Sequence, residues 1–151
     1  MFDSVDTAIL RHLQADPGIA RPELADRVRQ SPAKVSRRVE RLRTDGVLLG
    51  ERWEINWRAL GFSVFVSLRV NLDKTVPSAF DDFIKAARDV PEVLEIQTFL
   101  GRVDVRLSLV AKDLPAYQSL YRDRILTLPH IADIEALMDV GNVKSNRTLP
   151  L

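Results

Sequence analysis

The residues most suited to chemistry in this 151-residue chain run from Ser31 to Asp45, SPAKVSRRVERLRTD. Ser31 can cap a helix by accepting an orphan backbone N–H. Pro32 suits the first helical position, where a missing N–H costs nothing. Gly46 stands where a helix of about four turns needs a left-handed closing residue. On the wheel of that helix Val35, Val39 and Leu42 form one apolar stripe, and Lys34, Arg37, Arg38 and Arg41 share an adjoining flank. Neighbouring cations on one face repel by roughly a few tenths of a kcal/mol per pair. A solvated helix gains nothing from that arrangement. A surface pressed against phosphates does, because each neutralised phosphate releases counterions. The expectation is a helix on double-stranded DNA, its arginines able to address either guanine edges or phosphates. Arg52, a little downstream, is a further candidate for a phosphate.

Composition frames this reading. Net charge is only +1, but residues 21–43 hold 8 Lys and Arg against 3 Asp and Glu, so the basic excess is local. The hydrophobic share of 46% is enough for a core and argues against disorder. With no cysteine, disulfides and thiolate zinc sites are excluded. His12 and His130 have no ligand-spaced partners, and no metal or cofactor is expected. No apolar run is long enough to span a bilayer, so the expectation is a soluble, cytoplasmic protein without a membrane partner.

The elements that must position the basic helix follow from periodicity. Residues 4–15 read as a helix capped by Asp3 or Ser4, with Val5, Ile9, Leu10 and Leu13 inward. Asp16-Pro17-Gly18 is a turn. Residues 22–29 read as a short helix leading at once into the basic one, which makes a helix-turn-helix, although the turn lacks its usual glycine. Residues 47–55 read as a short strand pair, or wing. Trp53 and Trp57 read as packing anchors of the wing and of the linker 56–61. From Phe62 the period becomes 2, and Phe62, Val64, Val66, Leu68, Val70 and Leu72 mark a long strand. A helix opened by Pro77, strands over 93–100 and 103–109, a helix capped by Asp113 and a strand over 134–140 complete the order βαββαβ. That order predicts a ferredoxin-like sandwich, an antiparallel sheet with two helices on one face. Phe65 interrupts the polar face of the first strand, and an uncovered apolar sheet face predicts a homodimer or larger self-assembly. The tail from Ser145 is expected either to dock on a neighbour or to fray. The fold class is therefore α+β, with a winged helix-turn-helix over 1–60 and a βαββαβ domain over 61–151.

With these elements in this order the chain resembles the Lrp/AsnC family of bacterial and archaeal regulators almost end to end. Phe2-Asp3-x-x-Asp6-x-x-Ile9-Leu10-x-x-Leu13-Gln14 is similar to the family's opening helix and Glu23-Leu24-Ala25 to its second. Ser31-Pro32-x-x-Val35-x-Arg37-Arg38-Val39-x-x-Leu42 with Asp45-Gly46-Val47 is similar to its recognition helix. Leu60-Gly61-Phe62, Pro91-Glu92-Val93, Gly101-x-x-Asp104, Asp113-Leu114-x-x-Tyr117 and Leu128-Pro129 match later landmarks. The resemblance implies a sequence-specific transcriptional regulator that works as an oligomer and responds to a small effector, often an amino acid, near the turn of Gly101, Arg102, Val103 and Asp104. Backbone N–H groups of such a turn can hold a carboxylate and Asp104 an ammonium; the plain alternative is a hairpin turn with a solvated acid. The family's aromatic residue before the aspartate is Val103 here, a following tyrosine is Val105, and a threonine on the last strand is Glu135.

Two other functions compete. One is an effector-blind protein that organises DNA. The other is an enzyme on the same fold, like the tetrapyrrole decarboxylases that resemble this family; it would draw on His130, Arg102 and Arg106 for substrate propionates. There is no Ser/His/Asp grouping and no phosphate loop to support an enzyme.

Overall fold

The computed structural model describes residues 2–144 and 148–151. The chain divides into two compact units, Met1–Glu54 with Lys144–Leu151, and Ile55–Val143. The part of the tail spanning 145–147 lies outside the described residues.

The first unit is built on three helices: α1 (Ser4–Ala15), α2 (Arg21–Arg27) and α3 (Pro32–Thr44). Asp3 caps α1 in a reciprocal box. Its Oδ1 accepts the Asp6 N–H at 2.9 Å, and Asp6 Oδ2 accepts the Asp3 N–H at 3.2 Å. The turn between α2 and α3 manages without glycine because Arg29 itself takes the left-handed conformation, at φ 52. Ser31 caps α3 by accepting the Lys34 N–H at 3.4 Å. Gly46, at φ 71, closes α3 in a Schellman arrangement: the Gly46 N–H donates to the Arg43 carbonyl at 3.0 Å and the Val47 N–H to the Leu42 carbonyl at 2.9 Å. Ile9, Leu24, Val35 and Leu42 meet in a fully buried core drawn from all three helices.

The strand pair expected over 47–55 does not form. Residues 48–56 are irregular, Trp53 is 95% exposed, and Leu49 is similarly open. Two short strands with no third partner bury too little to hold a ladder. Trp53 is therefore not an anchor. Trp57 is one: it stacks on Phe65 at 5.8 Å between ring centroids, and the Arg58 guanidinium lies 5.5 Å from the same ring.

The second unit runs β1 (Val64–Leu72), α4 (Ala79–Arg88), β2 (Val93–Thr98), β3 (Val105–Ala111), α5 (Leu114–Leu120) and β4 (Ile131–Met138). The sheet order β2-β3-β1-β4, antiparallel throughout, is the ferredoxin-like order expected. Val66, Leu68 and Val70 of β1 and Val105, Leu107 and Leu109 of β3 face the helices around Phe83 of α4. Strand ends differ from the sequence reading by a few residues, and α4 begins at Ala79 because Pro77 and Ser78 form a turn. The helix capped by Asp113 widens into a π turn over Tyr121–Ile125. Ile125 is buried on the same side as Tyr117 and Leu120.

The outer sheet face is not the apolar surface expected. Register places Ser67, Arg69, Asn71, Ser108 and Arg106 there, with Phe65 paired to Val110 and Leu137 to Ser67 as its main apolar members. Trp57 covers part of Phe65 within the same unit.

Phe83 is the largest fully buried side chain. Phe83→Ala should lower the stability of the second unit by about 3–5 kcal/mol through lost burial and a residual cavity. Urea denaturation followed by far-UV circular dichroism measures it, and a midpoint equal to that of the unmutated chain would contradict the packing described.

Candidate nucleic-acid interface

The flank of α3 forms an open basin of ≈ 360 Å³ lined by Gln30, Lys34, Arg37, Arg38 and Arg41. The four cations expected on one flank do come together. They are not equivalent. Arg38 Nη1 donates to Asp6 Oδ1 at 2.7 Å and to Asp3 Oδ2 at 2.8 Å, and Arg41 Nη2 donates to Asp6 Oδ2 at 2.6 Å. Asp6 is fully buried, the only buried charged residue among those described. Lys34 and Arg37 are exposed and form no ion pair among the described residues.

Burial pushes the Asp6 carboxyl up, but the Arg38 hydrogen bond, the Asp3 backbone N–H and the charges of Arg38 and Arg41 outweigh it, so Asp6 lies below the ordinary carboxylate value. Asp3 is lowered too, first by the Asp6 backbone N–H and then by Arg38. Both acids hold Arg38 more firmly protonated, Asp6 most strongly. Two negative charges on α1 thus fix two guanidinium groups of α3 in bonds of known direction. The repulsion expected along the flank is relieved internally for Arg38 and Arg41. Lys34 and Arg37 are left to an outside anion.

Sequence reading missed this division. Asp3 and Asp6 are legible as a capping box, but nothing in their spacing says that the same carboxylates reach a helix some thirty residues on. Ser31 is exposed at the start of α3, its hydroxyl oxygen engaged as the cap. Arg52 is not in this basin; it lies in the exposed segment after α3, on the rim of a separate apolar groove.

The turn of Gly101, Arg102, Val103 and Asp104 has its own geometry. The Phe99 N–H donates to the Asp104 carbonyl at 3.0 Å, closing it. The pairing of β1 with β3 ends at Val70 and Val105, which leaves the Leu72 N–H beyond the ladder on that side. Asp104 Oδ2 accepts that N–H at 2.9 Å, and the Asp104 N–H donates to the Val70 carbonyl at 3.2 Å. Asp104 Oδ1 meets the Lys74 ammonium at 3.3 Å, with the Asp104 side chain 15% exposed and that of Lys74 74%. The carboxylate is therefore engaged within the chain rather than solvated. Gly101 and Arg102 are exposed, and Val103 is half-buried. His130 Nε2 lies 3.1 Å from Asp82 Oδ2. No group of acids and histidines among the described residues could hold a metal ion. No helix is long and apolar enough to cross a membrane.

Comparison with known proteins bears on both units. Residues 2–48 match the model of a winged helix-turn-helix DNA-binding domain, and residues 63–149 that of the Lrp/AsnC ligand binding domain. The chain is 31% identical over 148 residues to the leucine-responsive regulatory proteins of Klebsiella pneumoniae and Escherichia coli K12, covering 98% of this chain and 90% of theirs. Among solved structures it is similar to a transcriptional regulator of Neisseria meningitidis in complex with L-Met, with a TM-score of 0.91, 25% identity and coverage of 99% and 97% of the two chains. An AsnC family transcriptional regulator from Agrobacterium tumefaciens gives 0.88 with 27% identity and the same coverage.

The Asp6 geometry fixes a pH dependence. A carboxyl lowered on folding adds stability that is complete above its unfolded value and is lost as pH falls through the folded one. Asp6→Asn should destabilise the first unit by about 1–3 kcal/mol at neutral pH, less than for a fully enclosed pair because both arginines reach solvent. The gap between the two proteins should close as pH falls below 3.8, the ordinary value. Denaturant titrations from pH 7 downward measure it, and a gap that does not change with pH would show that Asp6 acts by packing alone.

Proposed function

This chain belongs to the Lrp/AsnC family of DNA-binding transcriptional regulators, and from that premise we propose that Lys34 and Arg37 are its groove-facing contacts, with Arg38 and Arg41 acting as the brace that sets α3. The observation that carries this is the division of the four cations: two tied to Asp3 and Asp6, two without an ion pair among the described residues. A guanidinium already engaged by carboxylates has little to gain from a base edge, whereas a free one can form a bidentate contact with guanine O6 and N7. Arg37 is assigned to base reading and Lys34 to phosphate, where a compact charge serves better than a fork. Arg41 keeps an exposed edge that can meet a phosphate. The Ser31 hydroxyl hydrogen and Arg52 are assigned further phosphate contacts, which orient the unit and carry no sequence information.

Self-association is the second element. Arg106 Nε is buried without a hydrogen-bond partner among the described residues, on the outer sheet face that also carries Phe65, Val110 and Leu137. A second copy laid on this face would cover these apolar side chains and supply an acceptor. The two α3 helices of such a dimer would address half-sites about one helical turn, roughly 34 Å, apart. Such a regulator works where the chromosome is, in the cytoplasm.

For the effector, the turn at 101–104 is assigned an amino-acid ligand whose ammonium must displace Lys74 from Asp104. That internal competition favours weak binding. It also favours, as a second reading, a DNA-organising protein that answers to no effector.

Fluorescence anisotropy with the DNA upstream of its own gene tests the assignment. Arg37→Ala should lose about 1–3 kcal/mol at one position of the site and relax preference there, whereas Lys34→Ala should weaken all sequences alike and reduce the salt slope by about 1. An Arg37→Ala protein that weakens every sequence equally would remove the base-reading role.

The effector assignment has its own measurement, the same titration with a pool of amino acids. Lys74→Ala should increase any shift in affinity and Asp104→Asn should abolish it. No shift in the unmutated chain or in Lys74→Ala would leave the effector-blind reading in place.

A further inference from the structure

Beyond Asp6, α1 carries a second set of polar side chains engaged with distant chain. The Gln14 amide oxygen accepts the Leu149 N–H at 2.7 Å, and its amide nitrogen donates to the Leu149 carbonyl at 3.4 Å. One side chain thus satisfies both backbone groups of one residue, as a neighbouring strand would. Arg11 Nε donates to the Leu151 carbonyl at 2.7 Å. The Leu151 N–H turns back to the Leu149 carbonyl at 2.9 Å. Leu149 and Leu151 line a groove of ≈ 360 Å³ together with Leu10, Leu13, Val39 and Leu48. Leu10, Leu13 and Leu48 are partly buried members of the first unit's core, and Val39 is a buried one. Pro150, between the two leucines, restricts the backbone and so lowers the entropy lost on docking.

We infer that residues 148–151 are a strap that lies along this groove, holds α1 onto α3, and when released lowers the affinity for DNA. The chain enters the first unit twice, once at its beginning and once here, after β4. The helix that release of the strap would loosen is the one whose Asp3 and Asp6 set Arg38 and Arg41. The anchors on α1 bind backbone groups, and Leu149 and Leu151 line the groove while remaining 63% and 36% exposed, so backbone hydrogen bonds carry most of the docking.

The absence of cysteine makes a clean crosslinking probe. Arg21→Cys on the groove rim and Pro150→Cys on the strap leave every anchoring bond in place. A short bismaleimide added to the full-length double variant should link the two within one chain, read by mass spectrometry of the joined peptides and by monomer migration on a denaturing gel. Dimer migration would overturn the proposal by giving the groove to a second copy's tail, and absence of any crosslink would overturn it outright. The second measurement uses Leu149→Asp with Leu151→Asp. Hydrogen exchange of α1 amides should accelerate while those of β1 and β3 do not change, and DNA affinity should fall several-fold. Unchanged α1 exchange removes the brace, and faster exchange with unchanged affinity removes the regulatory role. This last arm rests on the DNA-binding reading; if the unmutated chain binds no DNA, that reading fails while the crosslink still decides the strap.

Discussion

A carboxylate buried between two helices sets the geometry of the DNA-binding unit. Asp6 has no solvent of its own, so its charge is tolerable only while Arg38 and Arg41 supply donors to both oxygens. That requirement fixes the distance and rotation of α3 against α1 in a way that the apolar stripe alone would not. Apolar packing is forgiving of small slides, whereas a set of charged hydrogen bonds near 2.7 Å is not. The same pairing cancels charge that would otherwise strain the flank. A basic helix is thereby divided into an inward-facing half that defines position and an outward-facing half that remains available.

The second unit solves a similar problem with another carboxylate. The β1–β3 ladder ends at Val70 and leaves the Leu72 N–H without a ladder acceptor, and Asp104 supplies one from the turn beyond β2. The turn is thus tied to the centre of the sheet rather than hanging from one hairpin. Lys74 neutralises the remaining oxygen. In both units an acid that sequence presents as a surface or ligand-binding group is turned inward to an irregular piece of backbone or to a cation of the same chain.

What was legible in the sequence is what local physics governs. The caps at Asp3, Ser31 and Asp113 and the closing glycine at Gly46 act within a few residues and each is found in the structure, while the strand whose period begins at Phe62 starts at Val64. The order of elements then left few topologies, and the sheet order followed. Failures came where a segment depends on partners far away or has none. The segment 47–55 has the composition of strands but no third strand to pair with, and Trp53 has nothing to pack on. The burial of Ile125 with Tyr117 and Leu120 follows from helical spacing, whereas the π turn over Tyr121–Ile125 has no signal in that spacing.

The sequence by itself determined that a basic helix with a defined start and end stands beside two shorter helices, and that a βαββαβ unit follows. These are consequences of spacing along the chain. Only the tertiary structure decided which cations are free. Arg37 and Arg38 are adjacent in sequence and identical in chemistry, yet one is exposed and the other is bound to Asp3 and Asp6. Helical phase separates them by about 100°, and whether that arc turns a guanidinium toward solvent or toward a buried carboxylate depends on where another helix lies.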